Sequence, residues 1–179
     1  TNVNTKLIMP EKFIESNSPY IRHIANSISG KSELDTIYNV YNYVVNNIRY
    51  DGYSPNDVGA LKALQTGEGD CSEFSDAFVA LLRAKGIPAR SVYGLTTTYT
   101  NTPKHSWVEV YTKKYGWISF DPTQDNNKNT DFFNLPPKYL YLSFVKGGAD
   151  DNLKNYYYWT YRYRGSQVDV DMDYNVKLY

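Results

Sequence analysis

The chain has one cysteine in 179 residues. Cys71 stands in the stretch Gly69-Asp70-Cys71-Ser72-Glu73-Phe74. Gly67 and Gly69 predict a tight backbone turn, and Asp70 is a favoured helix N-cap. The apolar residues that follow, Phe74, Ala77, Phe78, Leu81 and Leu82, recur at helical spacing. Cys71 is therefore expected at the first position of a buried helix, where free backbone N–H groups and the helix dipole favour a thiolate. A thiolate at a loop-to-helix junction is what nucleophilic catalysis asks of a cysteine. The plainer alternative is an inert thiol packed as a small hydrophobe.

A nucleophilic cysteine needs a base, and the sequence holds two histidines. His23 sits among Ile21, Ile24 and Ala25 and reads as an ordinary structural histidine. His105 opens one expected strand, and Asp121 closes the next. A hairpin turn near residues 113–116 puts both at the same end of an antiparallel ladder, with the register open by a residue or two. Opposed or diagonal placement brings the carboxylate within reach of the imidazole. It would then fix the tautomer and stabilise the imidazolium, leaving the other ring nitrogen for Cys71. Read singly, Asp121 is equally a turn-forming aspartate before Pro122.

The elements that must position these groups follow from periodicity. A first helix is expected from about Pro19 to Ser29, ended by Gly30. A second starts at Ser32, an N-cap, with Glu33 and Asp35 in its first turn. Its apolar stripe is Leu34, Ile37, Tyr38, Tyr41, Val44, Val45 and Ile48, and it ends between 47 and 50. Residues 51–57 read as a loop, and 60–64 as a short helical turn. The Cys71 helix runs to about Lys85, capped by Gly86. Strands are expected at 90–95, 105–112, 117–120, 139–145 and 156–164, and a weaker one at 168–178. Helices followed by strands predict an α+β fold, with helices packed on an antiparallel sheet. The organisation expected is a lead-in and first helix over 1–30, a core over 31–125, and strands over 126–179 that complete or extend the same domain.

Lys+Arg and Asp+Glu both number 19. This balance argues against a nucleic-acid partner or a polybasic membrane contact. A lone cysteine excludes an intrachain disulfide framework and a cysteine zinc cluster. The absence of an 18-residue apolar run predicts no membrane insertion of this segment. Nineteen tyrosines, many asparagines and few alanines suggest an extracellular or cell-surface protein. Thr1 in place of methionine reads as a fragment of a larger surface protein. The polar run 125–131 lacks EF-hand spacing and reads as a solvated loop, so no metal is expected. Tyr156-Tyr157-Tyr158-Trp159 reads either as a platform for sugar or peptide or as cross-strand packing.

Three blocks, and a helix upstream of them, resemble the transglutaminase-like superfamily. Gly69 to Phe78, continued by Leu81-Leu82-Arg83 and Gly86-Ile87-Pro88-Ala89-Arg90, resembles its nucleophile helix. His105 to Val110 and Trp117 to Thr123 resemble its histidine and aspartate strands, and Tyr43 to Tyr50 resembles the helix that precedes its cysteine. The match covers about 32–123 in the family order Cys, His, Asp, and it keeps all three residues. The resemblance implies a papain-like core, amide chemistry through a thioester, no cofactor, and peptide or protein substrates. By that likeness Cys71, His105 and Asp121 are the catalytic candidates. The Cys71 N–H and a side chain from Tyr50, Tyr53 or Gln65 are the candidate oxyanion donors. Trp107, expected beside the histidine, and Asp70 and Glu73 are the candidate cleft residues. The family holds peptidases, crosslinking enzymes and members without catalysis. Hydrolysis in the manner of a prokaryotic-type cysteine peptidase is the preferred expectation; a crosslinking transglutaminase and a non-catalytic binding or assembly module are the alternatives.

Overall fold

The computed structural model describes residues 5–54, 56–96, 104–123 and 139–143. Four helices and six strands are seen among them: α1 (Pro19–Ser27), α2 (Glu33–Asn47), β1 (Arg49–Tyr50), α3 (Gly59–Thr66), β2 (Glu68–Gly69), α4 (Cys71–Ala84), β3 (Ala89–Thr96), β4 (Lys104–Thr112), β5 (Gly116–Phe120) and β6 (Tyr139–Ser143). The last four strands form an antiparallel sheet in the order β5-β4-β3-β6. The α+β fold with helices on an antiparallel sheet is what the residue pattern predicts.

Helix α4 is the centre of the core. Every residue from Glu73 to Arg83 is buried, as expected of a helix covered on all sides. It packs against α1, α2 and α3 as well as β3 and β4. Phe78 lies edge-on between Tyr41 of α2 (centroids 5.7 Å apart) and Phe120 of β5 (6.0 Å). Such T-shaped pairs place the positive ring edge on a negative face and add about 0.5–1.5 kcal/mol each beyond area burial. Ile37, Val40, Tyr41 and Val44 are the buried face of α2. Val40 belongs to that stripe, whereas Tyr38 is exposed. The Ser32 side chain accepts the Asp35 N–H as the N-cap motif predicts.

Two expectations about glycine need correction. Helix α1 ends at Ser27, and Ile28 is already extended. The Lys85 ammonium donates to the Ala25 and Ile28 carbonyls at 2.9 and 2.6 Å, so a distant cation caps this end. Gly30 is instead a close-approach residue: a Cβ there would meet Thr36 N at 2.3 Å. Gly69 is likewise not the turn residue. Gly67, with φ 71°, ends α3 in the left-handed region, whereas Gly69 lies in β2 beside Tyr50 of β1. A Cβ on Gly69 would come within 2.4 Å of the Glu73 Cβ.

The lead-in is tied to the core. The Arg83 guanidinium, almost wholly buried, pairs with Glu11 at 2.9 Å and donates to the Met9 and Ala89 carbonyls. Ile14 packs in the same core as α4. The expected strand from 139 is seen as β6 over the described residues Tyr139–Ser143. The loop at 125–131 and the strands expected at 156–164 and 168–178 lie outside the described residues. Gly69→Ala is expected to destabilise the fold by about 1–3 kcal/mol through overpacking. It should appear as a lower urea midpoint with an unchanged slope.

Candidate active site

Asp70 does what its position predicts. Its Oδ1 accepts the Ser72 N–H at 2.7 Å, and its own N–H donates to Glu73 Oε2 at 3.2 Å. This reciprocal capping box fixes Cys71 as the first residue of α4. The free carboxylate oxygens hold the preceding loop: Ser54 N–H donates to Asp70 Oδ2, and Val58 N–H to Glu73 Oε1. Both residues are buried, 3 % and 2 % exposed. Burial first, and the Asp70 charge second, push the Glu73 carboxyl above its usual range, with the Val58 N–H working against them. Asp70 and Glu73 thus build the frame behind the thiol rather than an open cleft wall.

The β4–β5 hairpin turns over residues 113–115, with Thr112 opposite Gly116 and Val108 opposite Phe120. Carried one step on, that register sets Asp121 level with Trp107, diagonal to His105. His105 Nε2 and Asp121 Oδ2 are 2.6 Å apart, with side chains 2 % and 0 % exposed. Cys71, only partly buried, opens α4 on the thiol side of the site, and its charge acts on the His105 ring. Burial pulls the His105 pKa down. The Asp121 charge and hydrogen bond, helped by Cys71, outweigh it and raise the value to about 10.

Asp121 is held from four sides. Besides His105, the Thr123 N–H donates to Oδ1 at 3.0 Å and the Tyr139 hydroxyl donates to Oδ2 at 2.6 Å. The Tyr41 hydroxyl of α2 donates to its backbone carbonyl at 3.0 Å. Tyr139 is absent from the sequence-based candidates. Its ring centroid lies 6.0 Å from that of His105 and 5.1 Å from that of Trp107. Trp107 stacks on His105 at 6.3 Å, as expected, and is 3 % exposed.

The chain from Arg22 to Pro122, more than half its length, matches the family model of the transglutaminase-like superfamily. The chain belongs to that superfamily. A candidate cysteine protease from Cytophaga hutchinsonii superposes with a TM-score of 0.60 at 26 % identity, over 69 % of this chain and 43 % of that one. The periplasmic domain of TgpA from Pseudomonas aeruginosa does so at 0.52 and 22 % identity, over 68 % and 48 %. In sequence, a stretch of 88 residues is 39 % identical to the uncharacterized protein YebA of Bacillus subtilis, 41 % of this chain and 12 % of YebA. A stretch of 68 residues is 37 % identical to a protein-glutamine gamma-glutamyltransferase of Pseudomonas aeruginosa, 32 % of this chain and 10 % of that protein. The matched stretches thus span about a tenth of either curated relative.

Among the remaining superfamily candidates, Tyr53 feels the charge of Cys71. Partial burial first, then the charges of Asp70, Asp57 and Cys71, raise its phenol pKa, and the residue is 72 % exposed. Tyr50 lays its ring toward Phe74, centroids 6.5 Å apart. Gln65 is exposed on the last turn of α3. His23 is exposed on α1. Glu109 pairs with Arg90 at 2.7 Å. Among the described residues no group of three or more His, Cys, Asp or Glu is placed to hold a metal ion, and no helix is long and apolar enough to cross a membrane.

The raised His105 pKa has a consequence for stability. A histidine at about 10 in the folded chain and about 6.5 when unfolded stabilises the fold fully below pH 6.5. That contribution declines as pH rises and is gone above 10. Thermal midpoints are expected to fall between pH 7 and 10, and His105→Gln should flatten this decline.

Proposed function

We propose that this chain breaks amide bonds through a thioester on Cys71, with His105 as the proton carrier and Asp121 orienting it. One observation carries the reading: a buried imidazole 2.6 Å from a carboxylate, with the charge of a cysteine at a helix N-terminus acting on its ring. With Nε2 committed to Asp121, Nδ1 is the nitrogen left for Cys71. A histidine protonated up to about pH 10 favours a resting thiolate–imidazolium pair. The thiolate sulfur attacks the carbonyl carbon, the C–N bond breaks, and the imidazolium proton goes to the leaving amine. The now neutral imidazole takes a proton from the acceptor. The acceptor oxygen or nitrogen bonds to the acyl carbon, and the C–S bond breaks to restore the thiolate.

The carbonyl oxygen gathers charge in both steps and needs donors. The Cys71 N–H, among the first of a helix that have no intrahelical acceptor, is one. Tyr53 is our choice for the second, because its phenol lies in the field of Cys71. Water is the preferred acceptor, which makes the chain a peptidase-like hydrolase of peptide or protein substrates. Likeness to the candidate protease supports this. Likeness to the gamma-glutamyltransferase supports the second reading, in which a lysine amine accepts the acyl group and proteins become crosslinked. We place the reaction outside the cytoplasm, at the cell surface or in the periplasm. The composition supports that location, and the matched TgpA fragment is a periplasmic domain of its own protein.

The test incubates the chain with glutamine-bearing and lysine-bearing peptides, with and without a dansylated primary amine. A new carboxylate without amine incorporation identifies hydrolysis, and a dansylated peptide identifies transfer. Neither product, with no acyl-enzyme visible by intact mass, overturns the enzymatic reading in favour of a binding module. Cys71→Ala should abolish the thioester while folding normally. His105→Ala should lower turnover about 10²–10⁴-fold.

A further inference from the structure

We propose that Tyr139 is a positioning residue of this site, setting through Asp121 how tightly His105 holds its proton. The role rests on the proposed use of His105 as a proton carrier. The Tyr139 hydroxyl and the His105 Nε2 meet the same carboxylate oxygen, Oδ2 of Asp121, each at 2.6 Å. Two donors on one oxygen share its electron density. A phenol donating there keeps the carboxylate ionised and weakens its pull on the imidazolium. Without the phenol, the carboxylate would bind the imidazolium harder, and His105 would give its proton to a leaving amine less readily.

The fold supplies this contact from across β3. Tyr139 opens β6, on the opposite side of β3 from β4. The register pairs Tyr139 with Thr96 on β3, and Gly94 with His105 on β4. Directly paired residues share a face of the sheet, so the side chain opposite His105 is missing because that position is glycine. The Tyr139 ring reaches over it, to 6.0 Å from the imidazole and 5.1 Å from Trp107. Ring and hydroxyl thus do separate work. The ring, with Trp107, walls the imidazole, and the hydroxyl tunes its partner.

Tyr139→Phe separates them, because it keeps the ring and removes only the donor. The readout is the His105 ring titration by NMR, which requires no activity. His105 is expected to titrate about half a unit higher than in the wild type, with thermal stability nearly kept. In turnover on any amide the wild type cleaves, kcat should fall about tenfold with KM within twofold. An unshifted His105 titration overturns the proposal even if the chain proves to be an enzyme. A shifted titration in a chain without turnover sustains the tuning and instead counts against the enzymatic reading. The wild type provides a check that is independent of the variant's folding. The Tyr139 hydroxyl proton should exchange slowly and show an NOE to the His105 ring, and exchange as fast as that of a free tyrosine overturns the proposal.

Discussion

The structure depends on one buried contact, the carboxylate of Asp121 against the imidazole of His105. Both side chains are withdrawn from water, and burial of charge is costly unless every lone pair is answered. Here the carboxylate is answered by the turn after β5 through Thr123, β4 through His105 and β6 through Tyr139, while α2 holds the Asp121 backbone carbonyl through Tyr41. Deleting one partner of such a pair typically costs about 3–5 kcal/mol, because the other charge is left alone. Asp121 therefore links folding to chemistry: the elements that make the core are also those that orient the imidazole.

The thiol side of the site has a different logic. Cys71 is presented by a capping box whose two carboxyl groups also clamp the loop of Ser54 and Val58. Gly69 lets β2 come close enough for Glu73 to reach back. Helix α4 is buried along nearly its whole length, so its first turn cannot shift without disturbing Phe78 and its two aromatic neighbours. The nucleophile candidate rests on a rigid element, and the exposed Tyr53 lies in the field of its charge. Rigid support on one side and an open side chain on the other is the arrangement expected where a substrate must approach a preorganised site.

Much of this is readable in the sequence, for local reasons. Asp70 followed three residues on by Glu73 and then by apolar residues at helical spacing locates α4 and places Cys71 at its start. Alternation and a four-residue turn locate the β4–β5 hairpin and put His105 and Asp121 at its same end, whereas the diagonal itself comes from the register. Two things are not local and escape such reading. The fourth partner of the site, Tyr139, depends on β6 pairing with β3 rather than with β5, its neighbour in sequence. The roles of Gly30 and Gly69 depend on what lies across from them, and their residue type alone suggests turns. The end of α1 is similar, since Lys85, distant in sequence, caps it.

In the proposed mechanism Cys71 rests as a thiolate paired with the His105 imidazolium. Alkylation by iodoacetamide at pH 6, followed as the mass label on Cys71, tests it most directly. The expected rate is at least about tenfold above that of a free thiol, whose unperturbed pKa is about 8.5, with a fall to the free-thiol rate in His105→Ala. Alkylation of the wild type no faster than a free thiol would contradict it.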